Sequence, residues 1–162
     1  MTPLSFTVYG SPIAQPRTKA QGFIAKNGRP MAHTYEPGKA DSPARQWKHE
    51  VKAAAVRALI VSLGIEEEEL KKIEPATGPI VMSILIYFPR PKNLCRKKDP
   101  PGAIPHTGKR DVDNLYKAIA DTLNTVIYKD DGQIFDAHVL KFYHELDGRP
   151  RAEITIEEIS AP

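Results

Sequence analysis

The sequence predicts an α+β fold: a single domain with a mixed β-sheet packed by two main helices. Three observations carry this. Segments with apolar residues at every second position, as in Leu4–Tyr9, are interspersed with segments whose apolar residues recur at three- and four-residue spacing. Their order is strand, hairpin, helix, strand, helix, strand, strand, which suits helices laid on one sheet. No internal repeat or linker divides the 162 residues, a length that fits one domain with a sizeable core.

The first strand is Leu4–Tyr9, with Leu4, Phe6 and Val8 alternating against Ser5 and Thr7. Gly10, Pro12 and Pro16 then break regularity. Residues 22–35 suggest an irregular hairpin around the turn-favouring pair Asn27-Gly28. Ser42-Pro43 opens a helix, since serine caps and proline suits the first turn. Trp47, Val51, Ala54, Ala55, Ala58 and Ser62 follow helical spacing, and Gly64 stops it. The acidic stretch 66–74 adds a helical turn before Pro75.

Ile80–Phe88 is β-branched and apolar, and reads as a buried strand. Residues 89–108 are basic and proline-rich, a loop long enough to be either functional or disordered. A second helix covers residues 111–126, with Leu115, Ile119, Leu123 and Val126 on its core face. Strands follow at Ile134–Tyr143 and at residues 152–159, the latter with Ala152, Ile154 and Ile156 inward.

Composition excludes several classes. No run is long and apolar enough to span a membrane, and the first ten residues do not resemble a secretory signal. Cys95 is the only cysteine, so no intrachain disulfide forms, and a cytoplasmic setting is expected. The net charge of +3 is unevenly spread. Residues 1–35 hold Arg17, Lys19, Lys26 and Arg29 with no acidic residue. Residues 90–110 hold Arg90, Lys92, Arg96, Lys97, Lys98, Lys109 and Arg110 against Asp99 alone. Two such stretches point to a polyanionic partner, against the plainer reading of solvated loops.

The chemistry concentrates in Lys109-Arg110-Asp111-Val112-Asp113-Asn114-Leu115-Tyr116-Lys117 and in Lys129-Asp130-Asp131-Gly132-Gln133-Ile134. Asp111 stands where the second helix begins, and Asp113 and Lys117, four apart, share a helix face. Two carboxylates there can hold a hard cation, while the free N–H groups and the helix dipole favour phosphate. Mg²⁺ takes a few carboxylates, with water and phosphate oxygens completing its octahedron. The plain alternatives are capping by Asp111, a surface pair between Asp113 and Lys117, and an Asp-Asp-Gly turn. A calcium loop is excluded: Tyr116 occupies the required glycine position and Thr122 that of the closing glutamate. His106, His138 and His144 lack metal-ligand spacing.

The motif resembles that of the RusA-like endodeoxyribonucleases, Holliday junction resolvases of bacteria and prophages. The family's Asp-x-Asp-Asn-Leu-x-Lys segment, further Asp, Asp-Asp doublet and following strand correspond to Asp111, Asp113, Asn114, Leu115, Lys117, Asp121, Asp130, Asp131, Gln133 and Lys141. The opening strand and turn, Phe6 through Arg17, and the segment around Trp47 are also similar. The loop 89–108 and the stretch 66–74 depart from the pattern. The resemblance implies a homodimer that makes paired, Mg²⁺-dependent nicks in a four-way DNA junction, with Mn²⁺ as a substitute. By position it implies catalytic carboxylates at Asp111, Asp113 and Asp131, which are also the metal ligands, and a catalytic lysine at Lys117. Asn114 and Asp130 are expected to support them. DNA contacts are expected from Arg17, Lys19, Arg96, Lys97, Lys98, Lys109 and Arg110, mostly to phosphates. A nuclease acting on flaps or forks, and a DNA-binding module without catalysis, are the rival readings.

Which chain completes the site stays open. A helix from Asp113 to Asn124 is roughly 17 Å long, and residues 125–131 span roughly 20 Å when extended. Asp131 therefore either doubles back to its own Asp113 or meets Asp111 and Asp113 of a second copy.

Overall fold

The computed structural model describes residues 2–16, 19–35 and 42–159. The elements are β1 (Leu4–Tyr9), β2 (Lys19–Ile24), β3 (Pro30–Tyr35), α1 (Pro43–Leu63), β4 (Ile80–Phe88), β5 (Ile104–Pro105), α2 (Val112–Leu123), β6 (Ile134–Tyr143) and β7 (Arg151–Glu158). Short 3-10 turns lie at Glu67–Lys72, Lys92–Leu94 and Asp131–Gln133. Five strands form one mixed sheet in the order β1-β7-β4-β6-β5, and β2 and β3 form a separate hairpin. Only β4 and β6 are parallel; the connection between them carries α2, as a parallel crossover requires.

Alternation explains the core. Ile80, Met82, Ile84, Ile86 and Phe88 of β4, with Ala152, Ile154 and Ile156 of β7, are buried on one face of the sheet. They pack in one cluster with Trp47, Val51, Ala55 and Leu59 of α1 and Leu115, Ile119 and Leu123 of α2. The other face carries polar pairs such as Ser5 Oγ with Thr155 Oγ1 at 3.0 Å.

The structure corrects several boundaries. Ser42 stands at the N-cap of α1 but its side chain makes no capping bond; Gly64, at φ 64°, closes the helix as expected. The acidic stretch forms the 3-10 turn with its own capping box between Glu66 and Glu69. The hairpin begins at Lys19, and its loop turns at Gly28 (φ 77°), where Gly28 N–H donates to Ala25 O and Ala25 N–H to Arg29 O. This is a three-residue loop with a left-handed glycine, which is why Asn27-Gly28 marked it.

The second helix ends at Leu123, not Val126. Tyr128 turns back under the helix and its hydroxyl donates to Ala120 O at 2.8 Å, while Thr125 adopts φ 61° and donates to Tyr128 O. The loop 89–108 is ordered. Arg90 is buried and donates to the carbonyls of Leu94, Pro100 and Gly102, tying the loop into a knot from which β5 joins the sheet edge.

Candidate active site

α2 starts at Asp111, whose backbone is extended and whose side chain makes no capping bond. The capping reading therefore does not describe it. Asn114 Nδ2 lies 3.4 Å from Asp111 Oδ2 and holds the carboxylate from one turn further on. Asp113 occupies the first helical turn and is exposed. Among the described residues Asp113 and Lys117 make no ion pair with each other, so the surface-pair reading does not describe them either.

Asp111 and Asp113 open into a pocket of about 650 Å³ between the first turns of α2 and strand β6. Its remaining walls are Gly108, Arg110, Val112 and Tyr116 on the α2 side, and Ala137, Val139 and Lys141 on β6. A β-bulge sets the β6 wall. Ile80 pairs with Ile134 but Val81 pairs with Asp136, so Phe135 is an extra residue. Beyond it Ala137, Val139 and Lys141 pair with Met82, Ile84 and Ile86, and so share their helix-facing side. Without the extra residue these side chains would point to the opposite face.

The cations of the pocket are held by backbone. Lys141 Nζ donates to Arg110 O. Arg110 donates to Pro12 O at 2.9 Å and lies 4.7 Å from the centre of the Phe88 ring. His106 sits between Phe88 and Tyr143, each 4.6 Å away by ring centroid, and its Nδ1 accepts from Gly108 N–H. Burial, with the charges of Lys141 and Arg110, lowers its pKa below the usual histidine value. A neutral His106 thus packs the loop that delivers Arg110 and Asp111 to the helix start. His138 pairs with Asp136 and His144 with the Glu145 carbonyl, which agrees with structural or surface roles.

The second acidic cluster is built as a turn. Asp130 accepts from Gly132 N–H at 2.8 Å and Gln133 Oε1 accepts from Asp130 N–H, a reciprocal cap. Gln133 Nε2 also donates to the carbonyls of Ala76 and Gly78, fixing the turn to the chain before β4. Asp130 is thereby engaged in shaping the turn, and Asp131 is left exposed. Burial raises the Tyr116 pKa first, and Asp131 and Asp121 raise it further. Tyr116 thus lines the pocket of Asp111 and Asp113 and also feels the charge of Asp131 in the same chain.

The three carboxylates are not gathered: Asp131 and Lys117 do not line the pocket, and among the described residues no three His, Cys, Asp or Glu side chains converge on a metal-sized space. Of the expected DNA contacts, Lys19, Lys97, Lys98 and Lys109 are exposed. Arg96 is bound to Asp99 at 3.1 Å, Arg110 is in the pocket, and Arg17 lies outside the described residues. Sequence reasoning gave no role to Tyr116 and none to Lys141 beyond the resemblance. The bulge that turns β6 toward α2 has no local sequence signal.

Two carboxylates beside an arginine and a lysine, at the positive end of a helix, form a site suited to a phosphodiester and a hard cation. The chain belongs to the RusA family: the model of endodeoxyribonuclease RusA matches residues 10–157. It is similar to uncharacterized protein YqaN of Bacillus subtilis (strain 168), with 37% identity over 163 aligned positions that cover 98% of each chain. No helix among the described residues is long and apolar enough to cross a membrane.

Proposed function

We propose that this chain is a Mg²⁺-dependent, structure-specific endonuclease that resolves four-way DNA junctions by paired nicks, acting as a homodimer. One observation carries the proposal. The carboxylates of Asp111 and Asp113 line one pocket with Arg110 and Lys141, and Asp111 makes no capping bond to the helix that it opens. Family membership supports the reaction class.

The donor set fits a hard divalent ion: oxygen ligands, exposed, few in number. Asp111 and Asp113 would hold it; Asp131 lies outside their pocket in this chain, and its part as a third ligand rests on the family resemblance. When bound it supplies Lewis acidity toward the scissile phosphate and lowers the pKa of an attacking water. Arg110 and Lys141 place positive charge against the non-bridging oxygens. Lys117 lies one turn beyond Asp113 and outside the pocket lining, and its part in meeting the charge on the phosphate or the attacking water rests on the family resemblance. Asn114 fixes the Asp111 carboxylate. Dimerisation draws support from β6, whose outer edge is engaged among the described residues only from Lys141 to Tyr143 and which exposes Phe135 and Leu140.

The experiment is a panel of duplex, flap, fork and four-way junction, each with and without Mg²⁺. Paired nicks confined to the junction and requiring Mg²⁺ support the proposal. Preferred cutting of flaps or forks replaces its substrate, and binding without any cleavage reduces the chain to a DNA-binding module.

A further inference from the structure

Among the described residues the β2–β3 hairpin forms a sheet of its own. Its strands pair with each other and join no other strand, and every described side chain of both strands is exposed. An isolated two-stranded ribbon is marginal in water, so one with large apolar groups outward implies an occupant. Phe23 is 45% exposed, Ile24 77% and Met31 52%. The register places Phe23 opposite Met31 and Gln21 opposite His33, so these four share one face. On it the Phe23 and His33 rings lie 5.8 Å apart. Lys19 begins the ribbon and Lys26 and Arg29 flank its turn, while residues 19–35 contain no acidic residue.

The segment that leads into the hairpin touches the start of α2 beside the pocket. Gln15 N–H donates to Asn114 O and Arg110 to Pro12 O, so the segment before the hairpin lies along the start of α2. Lys19 follows Gln15 by four residues, at most about 14 Å of chain. The first residue of the ribbon is therefore within about 14 Å of the contact with Asn114.

We propose that the hairpin is a second DNA-contact element, resting on the nuclease reading above. Lys26 and Arg29 take phosphates, and the Phe23–Met31 face stacks a base unpaired at the branch point. The chemistry matches the occupant: cations for the backbone, an aromatic and sulfur face for a base of any identity. Charge argues against two such hairpins packing together, because each would present the same positive ribbon to the other.

Equilibrium binding without Mg²⁺, to a four-way junction and to a fully paired duplex, tests this. Phe23→Ala should weaken junction binding roughly 5- to 100-fold and leave duplex binding within about twofold, as loss of one stacked base requires. Phe23→Trp should keep junction affinity, with its indole emission quenched on the junction and not on the duplex. Lys26→Ala with Arg29→Ala should weaken both DNAs and lower the salt slope by about 2. Equal affinities for wild type and Phe23→Ala on both DNAs would overturn the proposal. So would a loss of dimer in Phe23→Ala during sedimentation, since the hairpin would then be a contact between copies. Hairpin-dependent junction binding by a wild-type protein that never cuts with Mg²⁺ would uphold the inference and refute the nuclease reading alone.

Discussion

The two basic stretches look alike in composition and differ in the folded chain. In residues 90–110 the arginines are largely engaged by the protein itself. Arg90 is buried against three carbonyls, Arg96 is clamped to Asp99, and Arg110 is tied to Pro12 and covers Phe88. The lysines of that stretch, Lys92, Lys97, Lys98 and Lys109, remain outward. In the hairpin Lys19, Lys26 and Arg29 are all exposed, and none pairs with an acidic side chain among the described residues. Counting cations along a sequence therefore overstates the first stretch as a polyanion surface. Guanidinium groups, with five donors in a fixed fork, are the ones a loop can use to satisfy its carbonyls.

Substitutions in the two stretches should differ accordingly. The largest effect is expected at Arg90. Arg90→Ala strands three carbonyls in a part-buried loop and should lower stability by about 3 kcal/mol, read by denaturant unfolding; stability within about 0.5 kcal/mol of wild type would mean that the loop does not depend on it. Next, Lys97→Glu with Lys98→Glu should weaken DNA binding broadly and lower the salt slope by about 2, whereas Arg96→Ala alone should shift affinity by no more than about twofold, because its charge is already compensated. A slope unchanged by the lysine pair would return the whole loop to solvated surface.

The smallest effect belongs to a fourth engaged arginine, outside that stretch. Arg151 binds both oxygens of Glu145, at 2.9 and 3.0 Å, and these hydrogen bonds hold the Glu145 carboxyl down to about 2. A depressed folded-state value stabilises the protein above the ordinary glutamate range, and that contribution is lost as pH falls from about 4.5 toward 2. The pair is partly exposed, so Glu145→Gln should lower Tm at pH 7 by no more than about 3 °C. The difference from wild type should vanish near pH 2, and a constant difference across that range would contradict the linkage.

Much of the fold was legible because its signals are local. Asn27-Gly28 marked a real turn, Pro43 and Gly64 bracket α1, and the spacing of Leu115, Ile119 and Leu123 defines the core face of α2. The misreadings come from contacts distant in sequence. α2 stops early because Tyr128 hydrogen-bonds back to Ala120, and the long loop is ordered because Arg90 reaches carbonyls up to twelve residues away. The same holds at the site. The nearness of Asp111 and Asp113 was legible from spacing, and the turn at Asp130-Asp131 from composition. The β6 wall depends on one extra residue at Phe135, which decides whether Lys141 faces α2 or the opposite side.

The central claim is that Asp113 acts on the phosphodiester and not on the fold. It is tested most directly by single-turnover cleavage of a four-way junction with Mg²⁺, comparing wild type with Asp113→Asn and measuring binding alongside. The account predicts paired nicks by wild type and no cleavage by the variant, with junction affinity equal or tighter because a negative charge beside phosphate is removed. Wild-type turnover in Asp113→Asn would contradict it.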